Sequence, residues 1–415
     1  MTLADRRVLY ISYNGMLDPL GQSQVIPYLK QLSDRGVRFW LMSFERPHAF
    51  ETEGRTEVEK LRAELSPYGI EWHVLRYHQK PSLPATMFDV AMGIRLGRRL
   101  VKQNKIELVH ARSHVAARMA LALKRRFGLK FIFDVRGLMA DEYVDAAHWR
   151  KNSVPYRITK NAERHALSAA DGVVTLTQKI WPIISSWDSL RERKVIHEVV
   201  PCCADLDRFQ FDQAARDRRR AELAINDRFV VVYSGSIDGW YLTEQMADFF
   251  VALRKQNARA YFLWLTPSRH ERIRAIMHDR DISETDYTVI AAPSRDVPSY
   301  LSAADAGLAF IKPCFSKLAS SPTKYAEYLG CGLPLIINAG VGDSDSLITA
   351  ERAGVMVQDF DEAHYAKAAN AVGTFAESPA QTRTQVREIA ERLFDVKRVG
   401  AESYARLYRK VLAVN

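Results

Sequence analysis

The chain has 415 residues, enough for two domains, and its 47% hydrophobic and 26% charged residues exclude a disordered, collagenous or coiled-coil protein. No uncharged apolar run is long enough for a transmembrane helix; the best candidate, 328–342, carries four glycines, Pro334 and Asn338. The net charge of +10 sits in one half, since residues 1–200 hold 32 Lys+Arg against 21 Asp+Glu. That half either meets something anionic or is a solvated basic surface.

In chain order, the opening MTLADRRVLYISYNG reads as a first β-strand rather than a signal peptide. Strands are predicted at 8–12, 39–43, 71–75, 108–110, 131–134 and 173–176, with helices such as 22–34, 85–103 and 115–127 between them. This alternation specifies βαβ units and a parallel sheet. The pattern restarts after a loop-like boundary at 200–211. Strands follow at 229–234, 260–265, 287–290, 306–310, 335–338 and 354–357, so the fold class is α/β with two doubly wound domains. The last stretch, 395–411, spaces its apolar residues as an amphipathic helix that closes the second domain or crosses back onto the first. Four cysteines, two of them adjacent (Cys202, Cys203), form neither a disulfide framework nor a C-x-x-C metal pattern, which points to a reduced, cytosolic protein.

Several segments carry chemistry. The loop after the first strand, SYNGMLDPLGQSQ, places Gly15 and Gly21 before a helix, where backbone can approach a ligand closely; a tight turn without a ligand accounts for it equally well. The spacing matches neither a dinucleotide fingerprint nor a phosphate-binding P-loop. The second domain opens similarly, with Ser234, Gly235 and Ser236 ending its first strand. The most specific string is LASSPTKYAEYLGCGLP. Ser320, Ser321, Pro322 and Thr323 begin a helix whose free N–H groups, with Lys324, suit a phosphate or diphosphate. Glu327, one turn on, could accept hydrogen bonds from a ribose diol. The plain alternative is a capped helix with a local Lys324–Glu327 ion pair.

In the first half, HARSH at 110–114 and FDVRGLMADEY at 133–143 each follow a strand. Arg136, Asp141 and Glu142 form either a reactive cluster or a structural Arg–Asp network. His110 and His114 lack a third ligand, so no metal site is predicted. The 84–105 segment joins Met87, Phe88 and other apolar residues to Arg95, Arg98, Arg99, Lys102 and Lys105, the pattern of a helix on an anionic membrane or of an ordinary solvated helix face. Nucleic acid is not an expected partner, because no stacking platform accompanies the charge.

The two strand–helix halves, the glycine-bearing first loop and the SPTK…E…GLP segment together resemble a family-four retaining glycosyltransferase of the GT-B fold, over essentially the whole chain and including the FDVKRVGAESYARLY ending. The resemblance implies two Rossmann-like domains facing an interdomain cleft: an acceptor-side domain at 1–200, a donor-binding domain at 201–394 and a terminal helix at 395–415. It implies hexosyl transfer from a nucleotide-diphosphate sugar, with UDP the expected nucleotide, to a glycan or lipid-linked acceptor. No cofactor or metal is expected, and the location would be cytoplasmic or peripheral on the inner face of the cytoplasmic membrane. Donor binding would fall to Gly21, Ser234, Gly235, Ser236, Ser321, Thr323, Lys324 and Glu327. Arg136 would stabilise the leaving group, and Asp141 or Glu142 would orient the acceptor hydroxyl or take its proton. The chain departs from the family where Ala319 replaces the first glutamate of E-x7-E and Ser236 stands where an arginine is usual. Those departures keep two alternatives open, a nucleotide-sugar 2-epimerase of the same fold and a non-catalytic nucleotide-sugar-binding protein.

Overall fold

The computed structural model describes residues 2–191, 193–267 and 269–413. The chain divides into two units, Met1–Pro201 with Val396–Asn415, and Cys202–Asp395. Among the described residues the first unit holds seven parallel strands: β1 (Arg7–Ser12), β2 (Arg38–Glu45), β3 (Ile70–Arg76), β4 (Leu108–Arg112), β5 (Lys130–Asp134), β6 (Gly172–Thr175) and β7 (Ile196–Val199). Their order, β3-β2-β1-β4-β5-β6-β7, reverses direction between β1 and β4, the position at which open α/β sheets present a ligand crevice beyond the strand ends. The connecting helices are α1 (Pro19–Gln24), α2 (Ile26–Ser33), α3 (Thr52–Leu65), α4 (Ser82–Asn104), α5 (Ser113–Phe127), α6 (Met139–Asp145), α7 (Val154–Ala169) and α8 (Ile180–Ser185).

The second unit repeats the plan with six strands among its described residues, β8 (Phe229–Ser234), β9 (Ala260–Leu265), β10 (Tyr287–Ile290), β11 (Ala306–Ala309), β12 (Leu335–Asn338) and β13 (Gly354–Val357), ordered β10-β9-β8-β11-β12-β13. All pairings are parallel. Its helices are α9 (Gln213–Glu222), α10 (Thr243–Gln256), α11 (His270–His278), α12 (Val297–Ala303), α13 (Thr323–Gly330), α14 (Ser344–Thr349), α15 (Glu362–Gly373) and α16 (Pro379–Leu393). Strands β8, β9, β11 and β12 are buried almost throughout, as their continuous apolar runs require when helices cover both faces of a parallel sheet.

The chain then returns to the first unit through a π-turn at Val396–Gly400 and α17 (Ala401–Ala413). Tyr404 and Tyr408 on its buried face reach the sheet. Tyr404 Oη donates to Asp134 Oδ2 at 2.7 Å, and Tyr408 Oη pairs with His110 Nδ1 at 2.6 Å.

Three local expectations change. The helix expected at 22–34 is two helices broken at Val25, because Pro27 has no N–H to carry the hydrogen-bond ladder through. The predicted continuous helix at 395–411 begins as the π-turn. The strand β7 is additional: it is a four-residue edge strand, only half buried, and IHEV lacks the apolar run that marks the others.

Packing is tight where α13 meets β11. A Cβ on Gly307 would stand 2.2 Å from Cδ2 of Tyr328, whose hydroxyl accepts a hydrogen bond from the Ser234 N–H at 2.7 Å. Gly307→Ala is therefore expected to displace that ring and destabilise the protein by about 2–3 kcal/mol, read as a lowered denaturation midpoint with unchanged slope.

Candidate functional site

The second unit gathers seven of the eight residues assigned to donor binding. Buried β8 delivers Ser234 to the carboxyl edge of the sheet, and the chain turns at Gly235, whose φ of +132° suits glycine. A Cβ there would lie 3.1 Å from Nζ of Lys324, so the missing side chain lets the loop backbone approach the ammonium group closely. Lys324 is only 7% exposed. Among the described residues its Nζ has no hydrogen-bond partner, and it rests over the rings of Tyr233 at 4.0 Å and Tyr241 at 3.8 Å. Burial pulls this lysine down to about 7, with Glu327 opposing that shift. Cation–π attraction compensates part of the lost hydration while leaving all three N–H donors available.

Helix α13 begins at Thr323, with Pro322 extended before it and no side-chain cap. Its first N–H groups are thus the kind that a helix leaves for an outside acceptor. Glu327 lies one turn further along. Burial raises its carboxyl to about 6, while Arg208 and Lys324 pull it back down. Ser321 has another task, since its hydroxyl accepts from the backbone N–H of Cys202 at 3.1 Å and ties the start of this unit to α13. Ser236 contributes its carbonyl to the Tyr233 hydroxyl.

The sequence reading missed the aromatic floor. Tyr233 lies inside a predicted strand, and neither Trp240 nor Tyr241 was singled out. Lys317 Nζ lies 3.9 Å from the centre of the Trp240 ring, adding a second buried ammonium on an aromatic face. The available signal was a pairing of two lysines with aromatics far away in sequence, which no local pattern encodes.

Gly21 falls in the first unit. It is buried in α1, where a Cβ would meet the Gly15 carbonyl oxygen at 2.3 Å and Met16 Cα at 2.6 Å, so packing explains this glycine. The loop before it is held by Glu45, which accepts from the N–H of Met16 at 2.6 Å and from Ser43 Oγ at 2.6 Å.

At the end of β5, Arg136 adopts a left-handed φ of +57°, and its side chain is 8% exposed. Its guanidinium is 3.7 Å from Asp134 and donates to Gln24 Oε1 at 3.4 Å. Burial alone would raise the Asp134 carboxyl; Arg136, then His110 and Arg112, hold it below the usual range. His110, fully buried, is pushed down by desolvation despite Asp134. Asp141 is committed to Lys160 at 2.7 Å and to the Tyr156 hydroxyl at 3.2 Å. Lys160 also binds Glu163, which binds His114 at 2.8 Å. Glu142 follows on α6, its carboxylate beside Gly137.

The profile of Glycosyltransferase Family 4 matches residues 23–208. Those residues are a family-four glycosyltransferase domain. Solved structures agree on the fold over nearly the full length. Sucrose-phosphate synthase from Thermosynechococcus elongatus superposes with a TM-score of 0.75 at 17% identity, covering 99% of this chain and 100% of its own. HepE of Anabaena in complex with UDP gives 0.68 at 14%, covering 97% and 100%. An E. coli trehalose-6-phosphate protein bound with UDP-2-fluoro glucose gives 0.67 at 12%, covering 98% and 99%. Comparison with curated protein sequences returns no match. The chain is a glycosyltransferase, and its two parallel-sheet units are those of the GT-B fold.

Proposed function

We propose that this glycosyltransferase transfers a hexosyl group from a UDP-sugar, with retention of configuration, to a glycan or lipid-linked acceptor. The observation that carries the donor half is the Lys324 ammonium, buried on two tyrosine rings beside Gly235 at the N-terminus of α13. A diphosphate is the ligand such a group suits: it needs several donors and excess positive charge, and both are present without side-chain competition. Glu327 accepts from the ribose hydroxyls, and Lys317 adds charge where the family's usual arginine gives way to Ser236. The UDP and UDP-sugar complexes of the similar structures support the choice of nucleotide.

Transfer breaks the bond from the anomeric carbon to the diphosphate and forms one to the acceptor oxygen on the same face. Arg136, held by Asp134, meets the negative charge of the reacting groups, and Glu142 orients the acceptor hydroxyl and takes its proton. Asp141 fixes α6 through Lys160. In this reading no resident metal or other cofactor is required.

The test is calorimetric titration with UDP, GDP, ADP and TDP. UDP is expected to bind with micromolar affinity. Glu327→Ala should weaken UDP about 10–100-fold, the loss of charge-assisted hydrogen bonds, without lowering thermal stability. Unchanged UDP affinity in that variant would sink the assignment.

A further inference from the structure

Two helices of the first unit are built inside out in their first turns. A surface helix of a globular protein ordinarily hides its large apolar residues and shows its charges. Helix α4 hides Ala85, Asp89, Gly93 and Gly97 in its first four turns. Gly93 and Gly97 seat it on α5, where a Cβ would strike Met119 and Leu123. Its outer face shows Leu83, Met87, Phe88 and Met92, of which Leu83 is 70% and Met87 64% exposed. Helix α7 does the same at its start: it exposes Val154 and Ile158 and buries Lys160 and Glu163, with Ala166 and Leu167 turned inward only further along. Among the described residues, eight of the nine exposed large apolar side chains lie in this unit and six of those on α4 and α7, so the feature belongs to these two helices and is not general looseness.

The topology places these residues on either side of α5 at one edge of the sheet. Helices α4 and α7 both pack against α5, α7 through the His114–Glu163 contact. In a parallel sheet each such helix runs back from the carboxyl edge of the strands, so its first turns lie at that edge. The exposed apolar residues occupy the first turns of both helices, at the end of the sheet where β5 delivers Arg136. Basic residues accompany them: Arg95, Arg98, Arg99 and Lys102 continue the exposed face of α4, and Arg157 lies between Val154 and Ile158.

We propose that this face docks on an anionic phospholipid bilayer, the first turns of α4 and α7 entering the interface and the arginines of α4 meeting the headgroups. Charge selects the occupant. A second copy of the chain would bring the same basic face against itself, whereas an anionic lipid surface satisfies both the apolar tips and the cations. The proposal deepens the acceptor half of the proposed function, from which it takes the lipid-linked class: such an acceptor would arrive in the plane of the membrane at the edge that carries Arg136.

The experiment is flotation of the full chain with phosphatidylcholine vesicles, with and without 30% phosphatidylglycerol, alongside UDP calorimetry. The wild-type protein is expected to float with phosphatidylglycerol vesicles, to stay behind with phosphatidylcholine alone, and to be released by high salt. Met87→Ser/Phe88→Ser and Arg98→Gln/Arg99→Gln should each reduce vesicle binding about tenfold or more while leaving the melting temperature and UDP affinity unchanged, since these side chains are exposed. Flotation that both variants retain, or none in a wild-type protein that binds UDP, overturns the docking and leaves the donor reading intact. A dimer in sedimentation velocity that Met87→Ser/Phe88→Ser dissolves, without vesicle binding, also overturns it by making the face an interface between copies. Vesicle binding without UDP binding upholds the docking and removes the donor reading instead.

Discussion

Lys324→Met is expected to make the ligand-free protein more stable while abolishing diphosphate binding. The folded state holds Lys324 at about 7 against an ordinary value of 10.5, chiefly because burial strips its hydration. At about 1.4 kcal/mol per unit the shift amounts to on the order of 4 kcal/mol near pH 7. Methionine forgoes the contact of the ammonium with the ring faces of Tyr233 and Tyr241 and repacks imperfectly, so about 2 kcal/mol of this burden should be recovered on substitution. Methionine fills similar volume without a charge, so the variant should melt about 4–8 °C higher at pH 7. The sign of the pH dependence follows from linkage. Between pH 7 and about 10 the unfolded lysine keeps a proton that the folded one has lost, so wild-type stability rises with pH across that window. The stability difference from Lys324→Met should therefore shrink as the pH approaches 10. UDP affinity in the variant should fall about 100-fold or more, because the buried charge is the principal partner of the diphosphate in the proposed site. A variant that is less stable at pH 7, or that still binds UDP as the wild type does, would contradict this account.

The features that could be read from the sequence are those whose physics is local. Apolar runs bounded by turn residues gave the six strands of the second unit almost residue for residue, and the Pro322–Thr323 helix start was legible from its own chemistry. Lys324 and Glu327 could be singled out because one helical turn separates them. The remainder depends on contacts that no window contains. Tyr404 and Tyr408 looked like the apolar stripe of a terminal helix, yet their hydroxyls fix Asp134 and His110 some 270 and 298 residues away. Asp141 appeared as able to serve the acceptor as Glu142, and only the fold shows it spending its charge on Lys160. Helix α4 misled in a third way. Its mixture of apolar and basic residues marks it as amphipathic, but composition could not say that in its first turns the small residues face inward and the large ones outward. Direction came from the close seat on α5 that Gly93 and Gly97 permit.

Donor binding should trace a bell in pH, with its maximum between the two titrations of α13. Lys324 must carry its proton to meet a diphosphate, and it loses that proton above about 7. Glu327 must be ionised to accept from the ribose, and it gains a proton below about 6. A UDP-hexose is the right probe, because its diphosphate diester does not itself titrate in this range. Its affinity is expected to be greatest near pH 6.5 and to fall on each flank towards a limit of about tenfold per pH unit, the signature of one proton taken up or released on binding. The neighbouring phenols of Tyr233, Tyr241, Tyr325 and Tyr328 do not compete, since burial raises all four above their ordinary value. Two substitutions separate the limbs. Glu327→Gln should flatten the acid limb and keep the alkaline one, whereas Lys324→Met should lower affinity throughout and remove the alkaline limb. An affinity constant from pH 5 to 9 would mean that neither group reaches the donor. A profile that kept both limbs in Glu327→Gln would assign the acid limb to another carboxylate and take the ribose contact away from α13.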